Sequence, residues 1–216
     1  MPRTFIFANG ELNPPLPTSD TFTGDSWIIA ADGGASNCAK LGFMPHTIIG
    51  DFDSLDPLEV EALQKKGVNV IRHPAQKDET DLELALLYAI QQGSSEIVIL
   101  GALGDRIDMT LANLMLLTHP AYKLFRLSLV DGNQEVRILR GGQNIQLYGK
   151  PGDTISLIPL SPTATGITTH ALEYAMSEGT LTQGSPRGVS NVMLGELCYI
   201  SLGEGILAVV HIRQID

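Results

Sequence analysis

Asp51 and Asp53 stand two residues apart in Gly50-Asp51-Phe52-Asp53-Ser54, directly after the short apolar run His46 to Ile49. That run is too short for a helix of its own and reads as a buried strand, so the strand delivers two carboxylates into a loop. If the backbone stays extended through Phe52, both side chains fall on one face, because strand side chains alternate with period 2. Like charges that close repel one another unless a cation lies between them. Carboxylates recur after the neighbouring apolar runs: Asp32 after Ser26 to Ala31, Asp78 and Asp81 after Asn69 to His73, and Asp108 after Glu96 to Leu100. Lys77 and Arg106 lie in the same loops, where they could neutralise phosphate, Arg106 as a bidentate fork. Such a set suits a hard divalent ion, Mg²⁺ foremost, which takes a few carboxylates plus phosphate oxygens. The chemistry it would serve is phosphoryl or pyrophosphoryl transfer, where positioning and charge neutralisation do most of the work.

Local capping explains part of this pattern. Thr80 with Glu83 is a capping box, and Asp81 in a first helical turn is favoured by the helix macrodipole in any protein. Capping leaves Lys77 and Asp78 unexplained. Asp56-Pro57 with Glu59 likewise reads as an N-cap, a proline at the first helical position and a capping acid.

The elements that must position these groups follow from periodicity. Thr4 to Asn9 is a first strand, and Glu11 to Asp20, with three prolines, is a surface loop. The second strand runs into Asp32-Gly33-Gly34-Ala35 and a helix from Ala35 to Leu41, which places backbone N–H groups where phosphate could dock. The same glycines could simply make a tight turn. A helix to about Lys66 follows, then the strand Asn69 to His73 and a helix with Leu82, Ala85, Leu86, Ala89 and Ile90 at helical spacing up to Gly93. After Glu96 to Leu100 comes the loop Gly101 to Asp108, a helix from about Met109 to Thr118 with Leu111, Leu114, Met115 and Thr118 on one side, and the strand Leu124 to Val130. Strand and helix thus alternate, which predicts an α/β domain over 1–134 with a doubly wound, mainly parallel sheet. In such a sheet the carboxyl ends of the strands share one edge, where ligands bind, so Asp32, Asp51, Asp53, Asp78, Asp81 and Asp108 are expected on one rim.

From about Glu135 only short apolar runs separated by Gly, Pro, Asn or Ser remain: Glu135 to Leu139, Asn144 to Leu147, Thr154 to Ile158, Gly166 to Thr169, Gly179 to Gln183, Cys198 to Leu202 and Ile206 to Ile212. They predict an all-β sandwich or barrel over 135–216.

Composition narrows the function classes. Hydrophobic residues make up 44% of the 216 and charged residues 18%, which is ordinary for a globular protein. No apolar run approaches the roughly 20 residues of a membrane helix, and Met1 to Gly10 lacks a signal peptide's apolar region, so a cytoplasmic location and no membrane partner are expected. The net charge of −10 argues against nucleic acid, whose phosphates demand a basic surface, but not against a nucleotide bridged by a cation. Cys38 and Cys198 are far apart and read as two buried thiols. His46, His73, His119, His170 and His211 form no triad or metal spacing and read as surface or structural residues. There is no Walker A sequence, so a P-loop enzyme is excluded.

Ala31-Asp32-Gly33-Gly34-Ala35, Gly50-Asp51-Phe52-Asp53-Ser54, Lys77-Asp78-Glu79-Thr80-Asp81 and the Gly101 to Asn113 segment, in this order and spacing, resemble thiamine pyrophosphokinases of the bacterial type. The β-rich half resembles that family's thiamine-binding domain, including Leu172-Glu173-Tyr174 and Gly188-Val189-Ser190-Asn191. The resemblance implies transfer of the β,γ-diphosphate of ATP to the hydroxyethyl oxygen of thiamine, giving thiamine diphosphate and AMP. It also implies a homodimer whose active sites lie between one subunit's α/β domain and the other's β domain. Carried over by position, Asp51, Asp53 and Asp81 would hold Mg²⁺ and diphosphate with Asp32 and Asp108 beside them. Gly33, Gly34, Ser54, Lys77, Thr80 and Arg106 would hold nucleotide and phosphates, and Ser190 and Asn191 would face the thiamine pyrimidine. A carboxylate of the rim would take the proton of the attacking hydroxyl.

The chain departs from the family's usual Gly-Gly-Arg-x-Asp-His at Gly104-Asp105-Arg106-Ile107-Asp108-Met109, where Asp105 replaces a glycine and Met109 a hydrogen-bonding side chain. Two other readings compete. Ile48 to Ser54 resembles the nucleophile strand of haloacid-dehalogenase-like Mg-dependent phosphatases, with Gly104-Asp105 and Asp108 as the metal loop, although two strands precede it here. A nucleotide- or thiamine-binding protein without catalysis is the other.

Overall fold

The computed structural model describes residues 3–16, 22, 26–104 and 106–215; Asp105 and the 17–20 end of the proline-bearing loop lie outside them. The chain separates into two compact units, Met1–Leu117 with Leu124–Gly132, and Thr118–Lys123 with Asn133–Asp216.

The first unit is built on strands β1 (Thr4–Phe7), β2 (Trp27–Ala31), β3 (Thr47–Gly50), β4 (Asn69–Arg72), β5 (Glu96–Leu100) and β6 (Arg126–Asp131). They lie side by side in the order β6-β5-β1-β2-β3-β4, every pair parallel. The helices between them are α1 (Gly34–Lys40), α2 (Pro57–Lys65), α3 (Asp81–Gln91) and α4 (Ile107–Leu116). Central strands are buried on both faces, which is why β1, β3 and β5 read as unbroken apolar runs. Phe5, Phe7, Ile28, Ala30, Ile48, Val98 and Leu100 form one core with Ala35 and Cys38 of α1 and Val60 of α2. The alternate residues Ile6, Ile29, Ile49, Ile97 and Ile99 are equally buried and face the other way. α3 packs on β1, β2 and β3 through Leu82, Ala85, Leu86 and Ala89 and covers that second face. Among the described strands β4 pairs only with β3, at the edge, and its residues are exposed or half-buried.

One expectation is corrected. β3 ends at Gly50, and Phe52 is not extended but left-handed, with φ +63°. The turn is held by its ring, buried in the core, with the Arg72 guanidinium 4.9 Å above it. Of the α4 positions expected on one side, Leu111 and Met115 are exposed along with Ile107 and Leu114 and Thr118 are half-buried, while the buried positions nearby are Asn113 and Leu117. No helix among the described residues is long and apolar enough to cross a membrane.

The second unit is a β-sandwich. Its strands are β7 (Gln134–Arg140), β8 (Asn144–Tyr148), β9 (Thr154–Pro159), β10 (Thr163–His170), β11 (Gly179–Thr182), β12 (Asn191–Val192), β13 (Leu197–Ser201) and β14 (Ile206–Ile212). They form two antiparallel layers, β12-β9-β14-β7 and β11-β10-β13-β8. Leu139, Ile155, Leu157, Leu207 and Val209 of the first layer meet Leu147, Ile167, Leu181, Cys198 and Ile200 of the second in one core. At one end of the first layer the inward positions turn polar. Glu135 and His211 are directly paired there and buried, Glu135 bound by Arg137 at 2.6 Å and Arg213 at 2.9 Å, and His211 Nε2 lies 2.8 Å from Asp153. Burial pushes the Glu135 carboxyl up, but the two guanidiniums outweigh it and hold it below the usual range.

Both cysteines are free and buried, one in each core, as expected. Burial pushes the Cys38 thiol up to about 12 and that of Cys198 to about 11, so neither supplies a nucleophilic thiolate.

Candidate active site on the rim of the parallel sheet

The strand-exit loops meet because glycine lets backbone touch backbone. The Gly10 N–H donates to Gly101 O at 2.8 Å, and a Cβ on Gly10 would lie 2.4 Å from that same oxygen. A Cβ on Gly34 would lie 1.9 Å from Phe7 O, so the start of α1 rests on the end of β1. Asn37, buried on α1, ties the seam by donating its amide to Ala8 O and Gly10 O, both at 2.8 Å. Asn113 of α4 does the same for the next loop, donating to Ala102 O at 2.8 Å. One turn earlier, the Thr110 hydroxyl accepts from Gly104 N–H and donates to Gly104 O.

These loops enclose a cleft of about 460 Å³, a volume suited to a nucleotide-sized ligand. Its chemically active lining is Asp32, Asp51, Lys77, Glu79, Thr80, Asp81 and Arg106, with Asn9, Met109, Thr110 and Asn113. Asp32, Asp51 and Asp53 each offer an oxygen within 4.8 Å of the others. Gly50 permits this approach, since a Cβ there would crowd the Cβ of Asp32 at 3.1 Å. The Asp53 N–H donates to Asp51 Oδ1 at 3.1 Å, so a side-chain turn rather than strand pleat sets the Asp-x-Asp pair. Asp32 is 7% exposed and sits at φ +45°, with its N–H donating to Ile49 O and its Oδ1 buried without a hydrogen-bond partner among the described residues. An orphaned buried carboxylate oxygen beside two further carboxylates fits a hard cation, which would satisfy it and relieve the repulsion.

Lys77 Nζ lies 2.8 Å from Asp81 Oδ1 and 3.9 Å from Asp51 Oδ2, with its side chain 11% exposed. Burial would lower its pKa, but Asp81, Asp51 and Asp32 outweigh that and raise it, so it is an ammonium at every physiological pH. Asp81 opens α3 and Thr80 caps it, accepting from Glu83 N–H at 3.2 Å.

Other expected site residues lie apart from this core. Arg106 closes its fork on Asp108, with contacts of 3.2 and 2.6 Å, and both side chains are exposed. The hydrogen bond from Arg106 is the main reason the Asp108 carboxyl sits below its usual range. Asp78 is exposed, and Asp108 is outside the carboxylate trio. Gly33 and Gly34 are buried beneath the exit of β1 and do not line the cleft. Ser54 donates to Asp53 Oδ1 at 3.1 Å. In the second unit, Ser190 is left-handed at φ +60°, and its N–H donates to the Ser156 hydroxyl. Asn191 is buried and clamps Tyr174, accepting from its N–H at 2.9 Å and donating to its carbonyl at 2.8 Å. The clamp brings Leu172-Glu173-Tyr174 beside Ser190-Asn191 and leaves the Tyr174 ring exposed.

Sequence reasoning passed over Asn37, Thr110 and Asn113 as site residues. The available signal was a buried polar residue inside a short apolar helix, since such a residue needs a specific partner.

A sequence model of the thiamin pyrophosphokinase catalytic domain matches residues 19–129, and a model of the thiamin pyrophosphokinase vitamin B1 binding domain matches residues 143–207. Over 212 residues, 98% of each chain, the sequence is 28% identical to thiamine pyrophosphokinase of Bacillus subtilis (strain 168). The fold superposes on the crystal structure of a Bacillus subtilis thiamine pyrophosphokinase with a TM-score of 0.86 at 26% identity, covering 99% of this chain and 100% of that one. On the Geobacillus thermodenitrificans thiamin pyrophosphokinase the TM-score is 0.83 at 28% identity, covering 98% and 97%. With both family domains matched in order, and a rim of carboxylates on the α/β unit, the chain belongs to the thiamin pyrophosphokinase family.

Proposed function

We propose that this chain is an ATP:thiamine diphosphotransferase, forming thiamine diphosphate and AMP. The observation that carries the reading is the trio Asp32, Asp51 and Asp53, of which Asp32 and Asp51 line a nucleotide-sized cleft, in a chain of this family. In the reaction the hydroxyethyl oxygen of thiamine forms a bond to the β-phosphorus of ATP, and the bond from that phosphorus to the bridging α,β oxygen breaks. AMP leaves with the bond's electron pair, and the hydroxyl proton passes to a rim carboxylate.

Asp51 and Asp53, with Asp32 and Asp81 beside them, would hold Mg²⁺, which when bound supplies charge neutralisation for the diphosphate. Lys77 and Arg106 would orient phosphate oxygens, Arg106 once its fork leaves Asp108. Thr80 and Ser54 offer hydroxyls, while Gly33 and Gly34 shape the turn under the nucleotide. Residues 1–134 would thus serve as the catalytic domain and 135–216 as the thiamine-binding domain, with Ser190 and Asn191 facing the pyrimidine. A phosphatase of the haloacid-dehalogenase type is disfavoured, because it leaves the Asp32-Gly33-Gly34 turn and the β-sandwich without a role. A cytoplasmic location accords with the free, buried cysteines.

Incubation of the purified protein with ATP, Mg²⁺ and thiamine should yield AMP and thiamine diphosphate in equal amounts by chromatography. Inorganic phosphate without AMP would instead indicate a phosphatase, and binding without turnover a non-catalytic protein.

The working form is a homodimer that pairs the catalytic domain of one copy with the thiamine-binding domain of the other. Exposed apolar side chains in each unit support a second copy: Ile107, Leu111 and Met115 on α4, and Tyr174, Val189 and Leu194 around Ser190. Mixing inactive Asp51→Asn with inactive Asn191→Ala, under conditions of subunit exchange, should restore about a quarter of wild-type activity, since half the dimers are mixed and each carries one intact site. Activity no greater than the sum of the separate variants would overturn the shared site.

A further inference from the structure

We propose that Lys77 is a resident counter-ion of the acidic rim, which holds Asp51 and Asp81 in register and competes with the divalent cation for Asp51. The inference rests on the metal reading above and adds a sign to it, because Lys77 opposes metal binding in the absence of nucleotide. Three observations carry it. The ammonium bridges two elements, contacting Asp81 at the start of α3 and Asp51 after β3. The two Asp51 oxygens face different partners, Oδ1 the Asp53 N–H and Oδ2 the Lys77 ammonium, so Lys77 holds one lobe of a carboxylate that also belongs to the trio. Among the described cationic residues lining the cleft, the other is Arg106, whose fork is closed on Asp108.

The charge balance gives the two states. Without ligand, Asp32, Asp51 and Asp81 share one nearby ammonium, which makes the loops between β3 and α3 cohere. When a divalent ion enters the trio, the positive charges repel and Lys77 loses its hold on Asp51. Its four-carbon stem then lets it turn to the incoming phosphate oxygens while Asp81 remains within reach. Lys77 therefore resists a bare cation and favours a cation that arrives with polyphosphate.

The test is Mn²⁺ binding without nucleotide, followed by electron paramagnetic resonance of free Mn²⁺, for wild type, Lys77→Met, Lys77→Gln, Lys77→Arg and Asp51→Asn. Removing the charge should tighten Mn²⁺ roughly tenfold, the order expected for a partly screened charge several ångströms away. Lys77→Arg should stay within about threefold of wild type, because the charge is kept. For Lys77→Met the KM for ATP should rise while the Mn²⁺ dissociation constant falls, opposite shifts that a merely loosened loop would not produce. Unchanged or weaker Mn²⁺ binding by both neutral variants, with binding lost in Asp51→Asn, overturns the counter-ion role and leaves the metal site standing. If Asp51→Asn binds Mn²⁺ as wild type does, the metal reading falls and this one with it.

Discussion

Replacing Asp51 by asparagine is expected to lower Mg²⁺-dependent formation of AMP and thiamine diphosphate by about 10³-fold, the upper range for losing one preorganised electrostatic group. Asparagine has the same shape, and its Oδ1 can still accept the Asp53 N–H that makes the turn. What disappears is the charge that faces Asp32, Asp53 and Lys77 together. The fold should survive, because the Phe52 ring and the Arg72 contact to Asp51 O, at 2.9 Å, do not depend on that charge. Asp53→Asn should cost less, since Asp53 is exposed and solvent can replace part of its contribution. Chromatography of the products with a thermal melt of each variant checks both halves; activity within a few-fold of wild type in both variants would refute the metal assignment.

Asp153→Ala should destabilise the protein by about 3–5 kcal/mol, because it removes one buried acceptor from several polar groups, each left at a cost of roughly 1–3 kcal/mol. Asp153 is 1% exposed and holds three groups: the Gln214 N–H at 2.9 Å, the Lys150 N–H at 3.1 Å and His211 Nε2 at 2.8 Å. Alanine removes the acceptor that all three share, and His211 already has a buried Nδ1 without a hydrogen-bond partner among the described residues. Urea unfolding with fitted slopes would measure the loss; less than about 1 kcal/mol would show that solvent reaches the pair.

The same carboxylate sets part of the acid limit. Burial pushes the Asp153 carboxyl up, but the Gln214 N–H, the His211 ring and the Lys150 N–H outweigh it and hold it below its ordinary 3.8. A carboxyl depressed by folding contributes stability above its unfolded value, and that contribution is lost as pH falls from there through the folded value. Stability should therefore decline below about pH 4 in the wild type. The decline should be shallower in Asp153→Ala, with Glu135 among the depressed carboxyls that remain.

Much of the architecture was legible because its physics is local. β1, β2, β3 and β5 are buried on both faces, so each is a compact apolar run closed by glycine or aspartate. The caps at Asp56 and Thr80 were readable for the same reason, and both accept the N–H groups expected of a cap. β12 is two residues long and leaves no period to detect. The α4 helix was legible too, but apolar spacing marks a helix face without saying what covers it, and Leu111 and Met115 are exposed. The site was legible as a set of strand-end carboxylates, but its inner geometry was not. Nothing local announces that Phe52 turns left-handed, that Gly50 admits Asp32 to the Asp51–Asp53 pair, or that Lys77 settles on Asp81. Those depend on which loops the sheet order makes neighbours, as do the carbonyls that Asn37 and Asn113 find.

The glycine seam between Gly10, Gly34 and Gly101 bears on redesign. Directed evolution toward another nucleotide would waste diversity at those positions, where any side chain pries two main chains apart. Leu103, Ala75 and Met109 border the same cleft without closing such a joint, and a library placed there could reshape the wall while the frame beneath it keeps its form.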